Sequence, residues 1–81
     1  VSKYDPLEQW LRDPRRGDEA TLGFADVEEL LGASLPASAG RHRAWWANDP
    51  THVHARAWLH AGWVVDAVDQ RSLRVRFRRA A

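Results

Sequence analysis

The sequence predicts a small α+β domain in which helices are followed by a C-terminal β-hairpin. Three observations predict it. Apolar residues recur at helical spacing as far as Ala61. After Gly62 the pattern switches to alternation, which is the period of a strand with one face buried. The 81 residues include no cysteine, so one small core must be closed by packing alone, with no disulfide and no thiolate metal site. Residues 1–81 are read as a single domain.

The first helix opens at Asp5-Pro6-Leu7-Glu8. Asp5 is placed to cap it, Pro6 suits the first helical position, and Glu8 sits where a capping box puts its acid. Leu7, Trp10 and Leu11 give it one apolar face, and Asp13-Pro14 ends it. Residues 13–19 read as a polar loop. Thr21-Leu22 is a short strand. Gly23 then caps a second helix with Asp26 at its third position. Phe24, Val27, Leu30 and Leu31 form that helix's buried stripe, and Gly32 closes it. Residues 36–46 form a further helix or an irregular arm, with Gly40 weighing against the helix.

Asn48-Asp49-Pro50-Thr51 is a turn leading into a helix from His52 to Ala61. Ala55, Trp58 and Leu59 share its inner face; Val53, Arg56, Ala57 and His60 share its outer face. Trp63 to Val68 is a strand and Asp69 to Ser72 a turn. The run from Leu73 to Arg78 alternates, with Leu73, Val75 and Phe77 on one side and Arg74, Arg76 and Arg78 on the other. Helix, short strand, helix, arm, helix and hairpin follow one another in the element order of a winged helix, so the expected architecture is winged-helix-like.

Net charge is only +1, but it is unevenly placed. Residues 1–40 carry four basic and eight acidic side chains, a balance of −4; residues 41–81 carry eight arginines and three aspartates, a balance of +5. All four histidines lie in the second part. Such asymmetry points to a nucleic-acid face, or else to a solvated basic strand at a sheet edge. There is no stretch of roughly 18 apolar residues and no export-signal pattern. The expectation is a cytoplasmic, nucleoid-associated protein that does not span a membrane.

Several short motifs occur in a fixed order: Tyr4-x-x-Leu7-x-x-Trp10-Leu11, Phe24-x-x-Val27-Glu28, Leu35-Pro36-x-Ser38-Ala39, Trp45-Trp46-x-Asn48, and Ala57-Trp58-Leu59-x-Ala61-Gly62-Trp63. Together, over about residues 4–78, they resemble a small, largely uncharacterised bacterial domain family that occurs alone or fused to nuclease-like domains. The resemblance implies an association with DNA, and restriction-type company implies modified DNA. Gly23 departs from the family pattern, which has Ser or Thr there, and this softens the helix cap.

Catalytic readings fare poorly. There is one lysine, Lys3, and no glycine-rich phosphate loop. None of the four serines lies in a nucleophile elbow. Glu28 and Glu29 are adjacent and so point about 100° apart on a helix. His52, His54 and His60 lack the i, i+3 or i, i+4 spacing of a helical metal site. No enzyme activity, metal or cofactor is expected.

The basic constellation carries more. Arg41, His42 and Arg43 precede Trp45 and Trp46, then Asn48, Thr51, His52, His54 and Arg56. Arginine suits phosphate or guanine, asparagine adenine, and threonine and histidine phosphate. Asn48 and Thr51 equally suit turn and cap positions. Arg56 and His60, one turn apart, fit a helix laid along a groove. Adjacent tryptophans cannot both serve one pocket, so either one is core and one surface, or both pack inward. Arg71, Arg74, Arg76, Arg78 and Arg79 place five positive charges in nine residues, fit for the phosphate backbone. The expectation is a non-catalytic module that binds double-stranded DNA. Its sharper form reads 5-methylcytosine through a tryptophan beside an arginine. The alternative is an adaptor docking a nuclease or toxin partner through an exposed tryptophan and its arginines.

Overall fold

The structure, a computed structural model, describes residues 2–80. Helix α1 (Asp5–Arg12) ends at Asp13, whose carboxylate accepts from the Arg15 amide and so caps a 3-10 turn, Pro14–Arg16. Strand β1 (Glu19–Gly23) leads directly into α2 (Phe24–Leu31), which Gly32 closes at φ +67°. The arm is helical in pieces: α3 (Ala37–Arg41) and a 3-10 turn, Arg43–Trp46. Helix α4 (Val53–His60) precedes β2 (Trp63–Asp69) and β3 (Arg74–Arg79). The domain is α+β, helices first and a C-terminal hairpin last. The strands form one antiparallel sheet in the order β1-β3-β2.

One sheet face packs on the helices. Trp46, Trp58, Trp63 and Phe77 are its largest fully buried side chains, with Leu7, Leu11, Val27 and Val75 around them. Three of five tryptophans are thus core. At about 25 cal/mol per Å2 over about 150–250 Å2, each contributes at most about 4–6 kcal/mol. Among the described residues no helix is long and apolar enough to cross a membrane.

Several expectations are corrected. Asp5 lies inside α1 rather than capping it; Tyr4 holds the cap position, and the Asp5 carboxylate accepts from the Ser2 amide at 3.2 Å. Glu8 pairs forward with Arg12 at 2.9 Å instead of closing a capping box. Ala57 is buried, not outward, because α1 packs across that side of α4. Strand β3 is the central strand, so its arginines do not protect an edge. Leu73 falls outside the alternation: it precedes β3, is 51% exposed and has φ +58°.

Candidate nucleic-acid interface

The arm from Arg41 to Asn48 faces two ways. A 3-10 turn advances about 120° per residue, so neighbours separate sharply. Trp46 turns inward, fully buried, with its indole N–H donating to the Ala39 carbonyl at 2.9 Å and its ring 5.1 Å from Phe24. Trp45 stays half-buried and lies flat on His54, 3.9 Å between ring centres, with Tyr4 edge-on. The His54 Nε2 sits 2.6 Å from the Trp45 carbonyl, which can only accept, so that nitrogen carries the proton. Burial pushes the His54 imidazole below its ordinary value against the opposing effect of this hydrogen bond, and the nearby His52 adds to the depression.

Asn48 is a clasp, not a base reader. Its Oδ1 accepts from the Trp58 indole at 2.9 Å and from the Val65 amide at 2.8 Å, while its Nδ2 donates to the Val65 carbonyl at 3.0 Å. The side-chain amide pairs with the β2 edge as a neighbouring strand would, and so blunts that edge. Thr51 is local too: its amide and hydroxyl both donate to Asp49 Oδ1, at 2.9 and 2.7 Å, which holds the Asp49 carboxyl below its ordinary value. His52 lies 3.9 Å from the same carboxylate. Trp46, Asn48 and His54 therefore serve the packing of the arm. Among the described residues no three side chains are placed to hold a metal ion.

The outer side of α4 is electrically mixed. Arg56 donates to the Pro50 carbonyl at 2.8 Å. Arg56 and His60 line a depression shared with Asp5 and Glu8 of α1. Two carboxylates beside two cationic candidates oppose an approaching phosphate.

The outer sheet face is partly compensated. Arg74, Arg76 and Arg78 project from β3 to the solvent side, and Asp66 enters their row from the irregularity in β2 between Val65 and Ala67. Its carboxylate meets Arg76 at 2.8 Å and Arg78 at 3.3 Å. Desolvation raises the Asp66 carboxyl, but the hydrogen bonds and charges of both arginines outweigh it and hold the group below its ordinary range.

The arginines divide by whether a carboxylate reaches them. Among the described residues, six of the eleven arginines have a carboxylate within 4 Å: Arg12, Arg15, Arg16, Arg76, Arg78 and Arg79. Arg41, Arg43, Arg71 and Arg74 are exposed, and their guanidiniums have no partner among the described residues. The first two belong to the arm and the last two to the hairpin tip. Gln70 joins these regions by donating to the Ala39 carbonyl at 3.1 Å, the same oxygen that receives the Trp46 indole. Leu73 faces Ala37 and Gly40 across a shared groove. His42 is exposed between Arg41 and Arg43. Sequence reasoning missed Gln70 and Leu73. The one legible signal for Leu73 was a large apolar residue abutting a polar turn.

Residues 4–80 match the family described as Domain of unknown function (DUF7662), and the chain belongs to that family. No curated protein and no solved structure matches it.

Proposed function

We propose that this member of the family is a non-catalytic module that binds double-stranded DNA through the arm and the hairpin tip. The observation that carries the reading is the sorting of the arginines: those whose guanidiniums have no partner among the described residues are Arg41, Arg43, Arg71 and Arg74, on two segments tied together by Gln70. Unpaired guanidiniums lose least when they meet phosphate, because no internal ion pair has to be broken. The resemblance to a family that accompanies nuclease-like domains supports the same partner, and a cytoplasmic, nucleoid-associated location fits it.

On this reading the duplex avoids the outer side of α4, where Asp5 and Glu8 stand beside Arg56 and His60. Recognition of 5-methylcytosine draws less support from the geometry: Trp46 is core, and one face of Trp45 is covered by His54.

A mobility-shift titration tests the reading, with methylated and unmethylated duplexes at several salt concentrations. Wild-type affinity should fall with salt, and replacing all four arginines by glutamine should flatten the slope of log affinity against log salt by up to about 0.9 per lost phosphate contact. No duplex binding at low salt overturns the proposal. Salt-insensitive affinity for one protein partner would replace it with the adaptor reading.

A further inference from the structure

The hairpin tip is built more rigidly than a solvated turn requires. The Asp69 carboxylate accepts from the amides of Arg71 and Ser72 at 3.0 and 3.1 Å. Gln70 ties the turn to the Ala39 carbonyl. The Leu73 carbonyl accepts from the Phe24 amide at 2.8 Å, which carries the β1–β3 pairing one step past Gly23 and Arg74 to the first residue of α2. That last bond accounts for the backbone of Leu73: a left-handed residue turns its carbonyl toward α2 before β3 begins. The side chain lies at the rim of the groove it shares with Phe24, Leu35 and Ala37, which covers only half of it. Glycine or asparagine adopts φ +58° more easily than leucine does, and Leu73 is the one non-glycine residue with positive φ among the described residues. Its side chain is left half in solvent, with unpartnered Arg71 and Arg74 on either side in sequence.

A strained, exposed apolar residue on a three-point anchored tip is the form of a preorganised contact. We propose that Leu73 is an apolar wedge that the hairpin tip presses against a base step in the minor groove, with Arg71 and Arg74 holding the flanking backbone. Its partner chemistry follows from the charge: two free guanidiniums beside a hydrocarbon match a polyanion whose interior is apolar, and partial unstacking exposes such an interior. Pyrimidine–purine steps yield most easily, so affinity should favour duplexes with a TpA step at the centre. The inference rests on the DNA-binding reading above and adds the residue that deforms the duplex.

The test uses the full chain and its Leu73→Asn variant, a short duplex with 2-aminopurine at a central TpA step, and fluorophores at the duplex ends. Wild type should raise the 2-aminopurine emission and shorten the end-to-end distance. Leu73→Asn should keep or raise the melting temperature, because asparagine relieves the left-handed backbone. It should also bind about tenfold more weakly, lose both fluorescence changes and keep the wild-type salt slope, because every charge remains. A purely structural leucine would show the opposite stability change. Wild-type-like affinity and fluorescence in Leu73→Asn overturn the wedge. If Arg71→Gln with Arg74→Gln still weakens binding in that case, the DNA-binding reading survives alone. If wild type itself binds no duplex, both fall, and capture of an acidic peptide by the same tip would point to a protein partner.

Discussion

The outer sheet face and the hairpin tip hold arginines from the same run of sequence, yet they are chemically different surfaces. Arg76 and Arg78 share the Asp66 carboxylate, whereas among the described residues Arg71 and Arg74 make no ion pair within 4 Å, although Arg74 lies across the strands from Asp69 and its charge helps hold that carboxyl low. One acid, admitted to the row by an irregularity in β2, engages two arginines and halves the charge that this pair offers. Positive charge counted along a chain is therefore a poor measure of charge offered to a ligand. What remains after internal pairing is the better measure, and here it lies at the tip and on the adjoining arm.

The arm sharpens this contrast, because it holds structural and exposed side chains in alternation. Trp46→Ala should show the largest effect, about 3–5 kcal/mol, enough to unfold much of a domain this small. Asn48→Ala should follow closely. It strands the Trp58 indole and both polar groups of Val65, but Asn48 is itself exposed and water can reach part of what it leaves, so the cost is about 1–3 kcal/mol in all. Arg43→Gln, three residues before Trp46, should leave the thermal melt nearly unchanged. Circular-dichroism melts decide this, and a stable Asn48→Ala protein would return that residue to the candidate ligand contacts.

Binding offers a more direct way to break the comparison. Arg71→Gln with Arg74→Gln should lower the salt slope by up to about 1.8, two contacts at about 0.9 each, while Arg76→Gln with Arg78→Gln should leave it near wild type. Equal losses from the two pairs would show that Asp66 yields its arginines to DNA. A smaller gain is expected from Asp66→Asn, which frees both guanidiniums: the slope should steepen and low-salt affinity should rise. An unchanged slope there would mean that the duplex does not reach the sheet face at all.

Much of the fold was legible because it depends on local signals. Gly32 at a helix end, the alternation through Val75 and Phe77, and the turn at Asp69 each carry their physics within a few residues. The errors came where a distant partner decides. Asp5 could not be placed at a cap or inside a helix without knowing that Tyr4 is buried. Ala57 reads as outward on a helical wheel until α1 is laid across it. The site was less legible for the same reason. Asn48 is a good adenine reader by type, and only its proximity to Val65, seventeen residues away, makes it a clasp. Arg76 and Arg74 are indistinguishable in the sequence, and a carboxylate ten residues upstream separates them.

The smallest expected effect concerns how the arm is held. His54 is neutral in the fold, stacked on Trp45 and bonded to its carbonyl, and burial sets its folded-state value below the ordinary 6.5. Between the two values the unfolded chain binds more protons than the folded one, so stability rises with pH across that interval. The contribution is complete above about pH 6.5 and is lost as pH falls toward the folded-state value. The carboxylates held low by their partners act later: Asp13, kept near 2 chiefly by its hydrogen bonds from Arg15, titrates well below this interval, and Asp66 and Asp69 lie below the ordinary 3.8. A modest decline in melting temperature between pH 6.5 and 5 therefore reports on His54. It should flatten in His54→Gln, which can keep a hydrogen bond to Trp45 but cannot titrate. Near-ultraviolet circular dichroism should change over the same interval in wild type, since Trp45 loses its neutral stacking partner. A pH profile unaltered by His54→Gln would show that the arm is anchored by Trp46 and Asn48 alone, and that the His54 contact contributes no measurable stability.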